Sequence, residues 1–172
     1  GRSREEATAI AVQTLKKAQA ALDENGFSNV QICPEVMGKI NQLGTLEEVL
    51  TFCQVDERFL PCVDFGHLNS RTRGEMNSKE AFGSVVDAIA DTLGEQRARE
   101  FHIHFSKIEY TTGGEKRHLT FADDVFGPEP APLMELLAQR GCTPTVICES
   151  DGTQTADAAA MCRLYTAAKE GL

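Results

Sequence analysis

Apolar positions along the chain switch between helical and strand-like spacing in a regular rhythm, and that rhythm predicts the elements. From Ser3, SREEATAIAVQTLKKAQAALDENG sets Ile10, Leu15, Ala18 and Leu22 at helical intervals, with Ser3 and Glu6 spaced as a capping box and Gly26 as the stop. SNVQICPE reads as a short buried strand ending at Glu35. The polar loop MGKINQLG follows, then the helix LEEVLTFCQ, capped by Thr45 with Glu48 at its third position. The unit then repeats. RFLPCVDFGH reads as a strand ending in Asp64 and His67, and a polar stretch with Arg71, Arg73 and Gly74 leads to the helix SKEAFGSVVDAIADTLG, capped by Ser78. REFHIHFSKIEY reads as one strand, TTGGEKRHLTFADDVFG as a long loop and EPAPLMELLAQRG as a helix. CTPTVICESDG supplies a fourth strand, and TADAAAMCRLYTAAKEG a final helix capped by Thr155.

Buried strands alternating with helices predict an α/β fold in which parallel strands are joined by right-handed crossovers, here one domain over residues 1–172. A closed eight-stranded barrel takes about 250 residues. Four strand and helix units behind one leading helix are therefore expected to form half of a TIM barrel, its second half, with the first half absent. Such a half is expected to leave an apolar edge that another copy of the chain covers as a homo-oligomer. Neither Gly-x-Gly-x-x-Gly after the first strand nor Gly-x-x-x-x-Gly-Lys occurs, so the usual phosphate-cradling loops of open α/β sheets are not encoded.

Polar residues collect where active sites of parallel α/β proteins are built. Glu35, Asp64 with His67, His104 and Glu149 lie at or just past the carboxyl ends of four successive strands. Carboxylates brought together repel, and a divalent cation removes that repulsion; oxygen and nitrogen donors suit zinc, manganese or iron. His102 and His104 are two apart and point the same way from a strand. His104, nearer the carboxyl end, is the expected ligand, with His102 deeper. His118 follows Glu115, Lys116 and Arg117 in a loop. Arg71, Arg73, Lys107, Lys116 and Arg117 are the rim cations expected to meet an anionic substrate.

Composition narrows the classes. With 41% hydrophobic and 25% charged residues and no Trp, the chain is an ordinary globular domain, with no apolar run for a membrane span or an export signal; a cytoplasmic protein is expected. Seventeen basic against 26 acidic residues give a net charge of −9, which opposes polyanion binding unless bound cations reverse the field locally. No aromatic residues interleave the basic ones as they do where single-stranded bases stack. Of six cysteines, Cys33, Cys62 and Cys148 sit in apolar runs and are expected to be reduced packing thiols. None is spaced as a zinc knuckle, and Cys53, Cys142 and Cys162 carry no visible chemistry.

At these residues the sequence resembles the endonuclease IV group of apurinic/apyrimidinic endonucleases within the xylose isomerase-like barrels. ICPEVMGK with NQLGT, PCVDFGH, HIHFSK, KRHLTF and ICESDG follow in that family's order and cover about Val30 to Gly152. The resemblance implies that Glu35 bridges two metals, that Asp64, His104 and Glu149 bind the shared metal, and that His67 and His118 bind a third. It implies zinc, two or three ions in the full barrel, and cleavage of DNA beside an abasic site, the half barrel itself being expected inactive. In the nuclease the last histidine lies two residues after an aspartate; here Lys116 holds that place and Glu115 is one step off. The alternative is a sugar isomerase or epimerase that uses one manganese ion, with Glu35 and Glu149 as acid and base across the substrate.

Overall fold

The computed structural model describes residues Gly1–Leu172. Helix α1 (Arg4–Glu24) starts at Ser3, whose hydroxyl accepts from Glu6 N (3.1 Å) while the Glu6 carboxylate accepts from Ser3 N (2.9 Å). Helix α2 (Leu46–Cys53) repeats the box with Thr45 and Glu48, and Glu48 also accepts from Gly44 N and from Arg4 of α1. Both expected caps form, because each depends only on residues three apart.

The first expected strand is different. Residues 32–36 run parallel beside β1 (Cys62–Asp64), with Leu60 N donating to Ile32 O, Cys62 N to Pro34 O and Val36 N to Cys62 O, and only Glu35 forms a bridge, to Cys62. Pro34 has no N–H to give. Phe27 and Val30 are exposed, so this segment is an open edge and not the buried strand expected.

β1 is also shorter than expected. The chain turns at Asp64 straight into α3 (Phe65–Arg71), so the Phe65–His67 run read as strand is the first helical turn, with the Asp64 carboxylate accepting from His67 N at 2.8 Å as its cap. After α4 (Lys79–Leu93, capped by Ser78) and the short α5 (Glu95–Glu100) comes β2 (His102–Phe105). The expected third strand breaks at Ser106: β3 (Lys107–Thr111) leaves the sheet and pairs antiparallel with β4 (Gly114–Leu119). The expected loop is thus a hairpin, turned at Gly113 and Gly114 (φ 93°). Helix α6 (Pro130–Gln139), β5 (Thr145–Cys148) and α7 (Gln154–Glu170) complete the chain. The cap position of α7 is Thr153, not Thr155, and its hydroxyl donates to Asp157.

β1, β2 and β5 form a parallel sheet in the order β1-β2-β5, in register Cys62↔His102↔Thr145 and Asp64↔His104↔Ile147. Alternation gives each face a different fate. Val63, Ile103, Phe105 and Cys148 turn outward into a core with Phe82, Val85, Ile89, Leu133, Leu137 and Met161 of the covering helices. Cys62, Asp64, His102, His104, Thr145 and Ile147 turn to the hollow side, where Ile147 remains 46% exposed. The result is an α/β fold with parallel strands and covering helices, a partial barrel with no closure. No helix is long and apolar enough to cross a membrane. All six cysteines are free; Cys148 is in the core, but Cys62, though 2% exposed, lies on the hollow side.

Candidate metal centre

Four side chains from four neighbouring segments meet at the carboxyl end of the sheet. Donor atoms of Glu35, Asp64, His104 and Glu149 all lie within 4.8 Å of one another. His104 Nδ1 stands 3.1 Å from Glu35 Oε1 and 3.3 Å from Glu149 Oε1. Glu35 is placed by its bridge to Cys62, and Glu149 by the bond from its own N–H to Phe105 O at 3.0 Å. The hydrogen bond from His104 holds the Glu35 carboxyl below its usual range, and the same bond raises the His104 imidazole above its own.

Asp64 is fully buried. One of its oxygens caps α3, while Oδ2 has no hydrogen-bond partner. Burial raises its pKa against the pull of His67. An unpartnered buried carboxylate oxygen is costly, and here it faces a histidine and two further carboxylates. A cation in this group would give that oxygen its partner and neutralise the cluster, so the donor set fits a divalent metal.

A second group adjoins the first. Donor atoms of His67, Glu115 and His118 also lie within 4.8 Å of one another. His67 Nδ1 is 2.8 Å from Val36 O, which can only accept, so Nδ1 carries a proton and Nε2 is the nitrogen left to bind a cation. That Nε2 is 3.5 Å from Glu115 Oε2, and His118 Nε2 is 3.9 Å from Glu115 Oε1. His118 Nδ1 is anchored at 2.8 Å to the buried Ser106 hydroxyl. His67 Nδ1 is 3.7 Å from Glu35 Oε1, which places Glu35 beside both groups.

The sequence placed Glu115 one step off the expected ligand position and did not count it as a donor, and it gave no sign of Ser106. Glu115 and His118 are three positions apart, which in a regular strand would set them on opposite faces. The pairing Glu109↔Arg117 and Tyr110↔Glu115 leaves Lys116 as an extra residue, a β-bulge that returns Glu115 to the face of His118. The signal was present as a one-residue excess between the glycine turn and the histidine. Gly38 completes the mould: a Cβ there would stand 2.5 Å from Glu115 Cβ and 2.8 Å from His67 Cδ2.

The rim cations do not converge on this centre. The Lys107 amine is buried and donates to Asp123 O and Glu129 Oε1, both at 2.6 Å, fastening the hairpin to the following loop. Arg71 donates to Met37 O and Lys39 O and holds the loop that carries Gly38. Lys116 and Arg117 both pair with Glu109 on the outer side of the hairpin, each more than half exposed. Arg73 is exposed, with φ 57° at the turn after α3. His102 groups with Cys62 and with His104, which it shares with the carboxylate group.

Residues 1–165 match the family described as Xylose isomerase-like TIM barrel. That family includes endonuclease IV and sugar isomerases, its members are in general enzymes, and many bind metals. The chain is also 37% identical over 122 residues to the uncharacterized protein MJ0133 of Methanocaldococcus jannaschii; the alignment takes in 71% of this chain and 44% of that protein, so the chain spans less than half the length of this relative. A match running through nearly every element, from α1 into α7, agrees with a partial barrel that carries its donors at the strand ends, and the chain belongs to the xylose isomerase-like TIM barrel family.

Proposed function

We propose that this centre belongs to a zinc-dependent phosphodiester hydrolase of the endonuclease IV type, acting on DNA at abasic sites. One observation carries the reading: His67 and His118 both turn Nε2 toward Glu115 beside the four-donor group, an arrangement that an isomerase using one ion does not need. Zinc, when bound, polarises a phosphoryl oxygen and makes water acidic enough to act as a nucleophile near neutral pH. Asp64, His104 and Glu149 would hold one ion, His67, Glu115 and His118 a second, with Glu35 facing both. Glu35, held ionised by His104, serves as a fixed anion. Glu149, with its side chain 35% exposed at the mouth, is the group placed to accept a proton from attacking water.

The net charge of −9 favours a second reading, a manganese-dependent isomerase or epimerase of a neutral sugar. Zinc stoichiometry by elemental analysis, with His67→Ala beside the wild type, separates the two. Two ions falling to one supports the nuclease; one ion indifferent to His67→Ala supports the isomerase. Incision of an abasic-site duplex with zinc, assayed beside ketose isomerisation with manganese, then assigns the reaction.

A further inference from the structure

The hollow face carries a third set of donors, one row below the carboxylates. Cys62 and His102 are register partners on β1 and β2, and His104 lies two residues further along the same face. The thiol and one nitrogen of each imidazole lie within 4.8 Å of one another. The rings of His102 and His104 stand 5.1 Å apart, edge to face. Cys62 is buried without joining the apolar cluster between sheet and helices that takes in Cys53, Cys142 and Cys148. His102 is half-buried, and its neighbours act on it through burial and charge with no side-chain hydrogen bond. A thiol and an imidazole without partners, set side by side on neighbouring strands, leave their lone pairs unused.

We propose that Cys62, His102 and His104, the last shared with the carboxylate group, form a further cation subsite that takes a borderline-soft divalent ion such as zinc, cobalt or cadmium in preference to magnesium, calcium or manganese. One sulfur and two nitrogen donors select such ions, and three protein ligands leave a fourth position for water. Binding converts the thiol to a bound thiolate and releases one proton to solvent, while both imidazoles bind neutral. The subsite uses no carboxylate and shares only His104 with the centre described above, so a change confined to Glu149 leaves its own donors in place.

Cobalt(II) titration of the whole chain, kept reduced with a phosphine, tests this through the near-ultraviolet band that only sulfur-to-cobalt charge transfer produces. The band is expected to saturate at the intensity of one thiolate-bound cobalt per chain, to vanish in Cys62→Ser, and in His102→Asn to need at least about tenfold more cobalt, in line with lost metal-site partners elsewhere. It is expected to persist in Glu149→Gln, which disables the carboxylate group, so the two proposals can fail separately. No band in the wild type overturns the subsite. So does a band that survives Cys62→Ser, since the half-buried Cys33 or exposed Cys162 would then be its source. Should Cys62→Ser not fold, His102→Asn decides alone: an unchanged titration there refutes the proposal.

Discussion

Asp64 shows how one side chain serves fold and site together. Its cap on α3 needs only an acceptor oxygen, whereas its unpartnered Oδ2 matters only to a cation. Asp64→Asn separates the roles. With chelator present the variant is expected to melt no lower than the wild type, because a neutral amide replaces a carboxyl that burial discourages from ionising. Its zinc affinity, by calorimetry, is expected to fall by at least the roughly 10–100-fold that loss of an outer partner costs. Gly38→Ala is expected to weaken zinc by about the same 10–100-fold, through the displacement of Glu115 and His67 that a Cβ at that position imposes. The His104–Glu35 pair sets a pH window in chelator. The raised pKa of His104 gives stability that is full below its ordinary 6.5 and lost as pH climbs through the folded value; the lowered pKa of Glu35 gives stability present above 4.5 and lost as pH falls through its folded value. Melting temperature against pH is expected to decline on both sides of that window, and Glu35→Gln to flatten the alkaline decline. The convergence of Glu35, Asp64, His104 and Glu149 was legible in sequence because Asp64, His104 and Glu149 end or follow strands and Glu35 ends a segment bridged to β1. Glu115 was not, because its face depends on a bulge, a property of pairing and not of spacing.

Among the elements, the hairpin β3-β4 and the loop at Gly38 act as one clamp. Glu115 N donates to Gly38 O, Ile40 N to Gly113 O, and Ser70 Oγ also reaches Gly38 O. Gly114 lies so close that a Cβ would stand 2.2 Å from Gly38 O. Lys107 fixes the root of this clamp. Lys107→Met is expected to lower stability by about 1.5–3 kcal/mol, the range for hydrogen bonds to charged groups, in denaturant unfolding. It is expected to leave zinc stoichiometry unchanged, which a direct substrate or metal role would not require of its stability. The helix starts at Ser3, Thr45 and Ser78 could be read from sequence because a cap is a contact between near neighbours. The hairpin could not, since Phe105 and Ile108 look like one apolar run until Ser106 takes the chain out of the sheet. The segment at Pro34 carried strand-like residues, but its pairing depended on a neighbour on each side, and only β1 is there.

At the scale of the whole molecule, the parallel sheet has one face filled by the covering helices and one open. β5 is an edge strand whose Thr145 and Ile147 are exposed, and edges of this kind invite pairing with a further strand. We therefore expect the chain to self-associate in sedimentation velocity as its concentration rises, and Ile147→Lys to shift it toward the monomer. A single species unmoved by concentration would contradict this. The alternation of filled and open faces was visible in His102–His104 against Ile103–Phe105, and so the side on which chemistry lies was readable.

The extra residue at Lys116 has one more consequence. Deleting Lys116 removes the bulge and leaves Glu115 and His118 two apart in an ordinary strand, so both side chains still face the same way and the zinc count should not change. A signature defined by intervals along the chain would score this protein as lacking a ligand. One defined by position in space would score it as complete, so in this hairpin ligands have to be counted after folding.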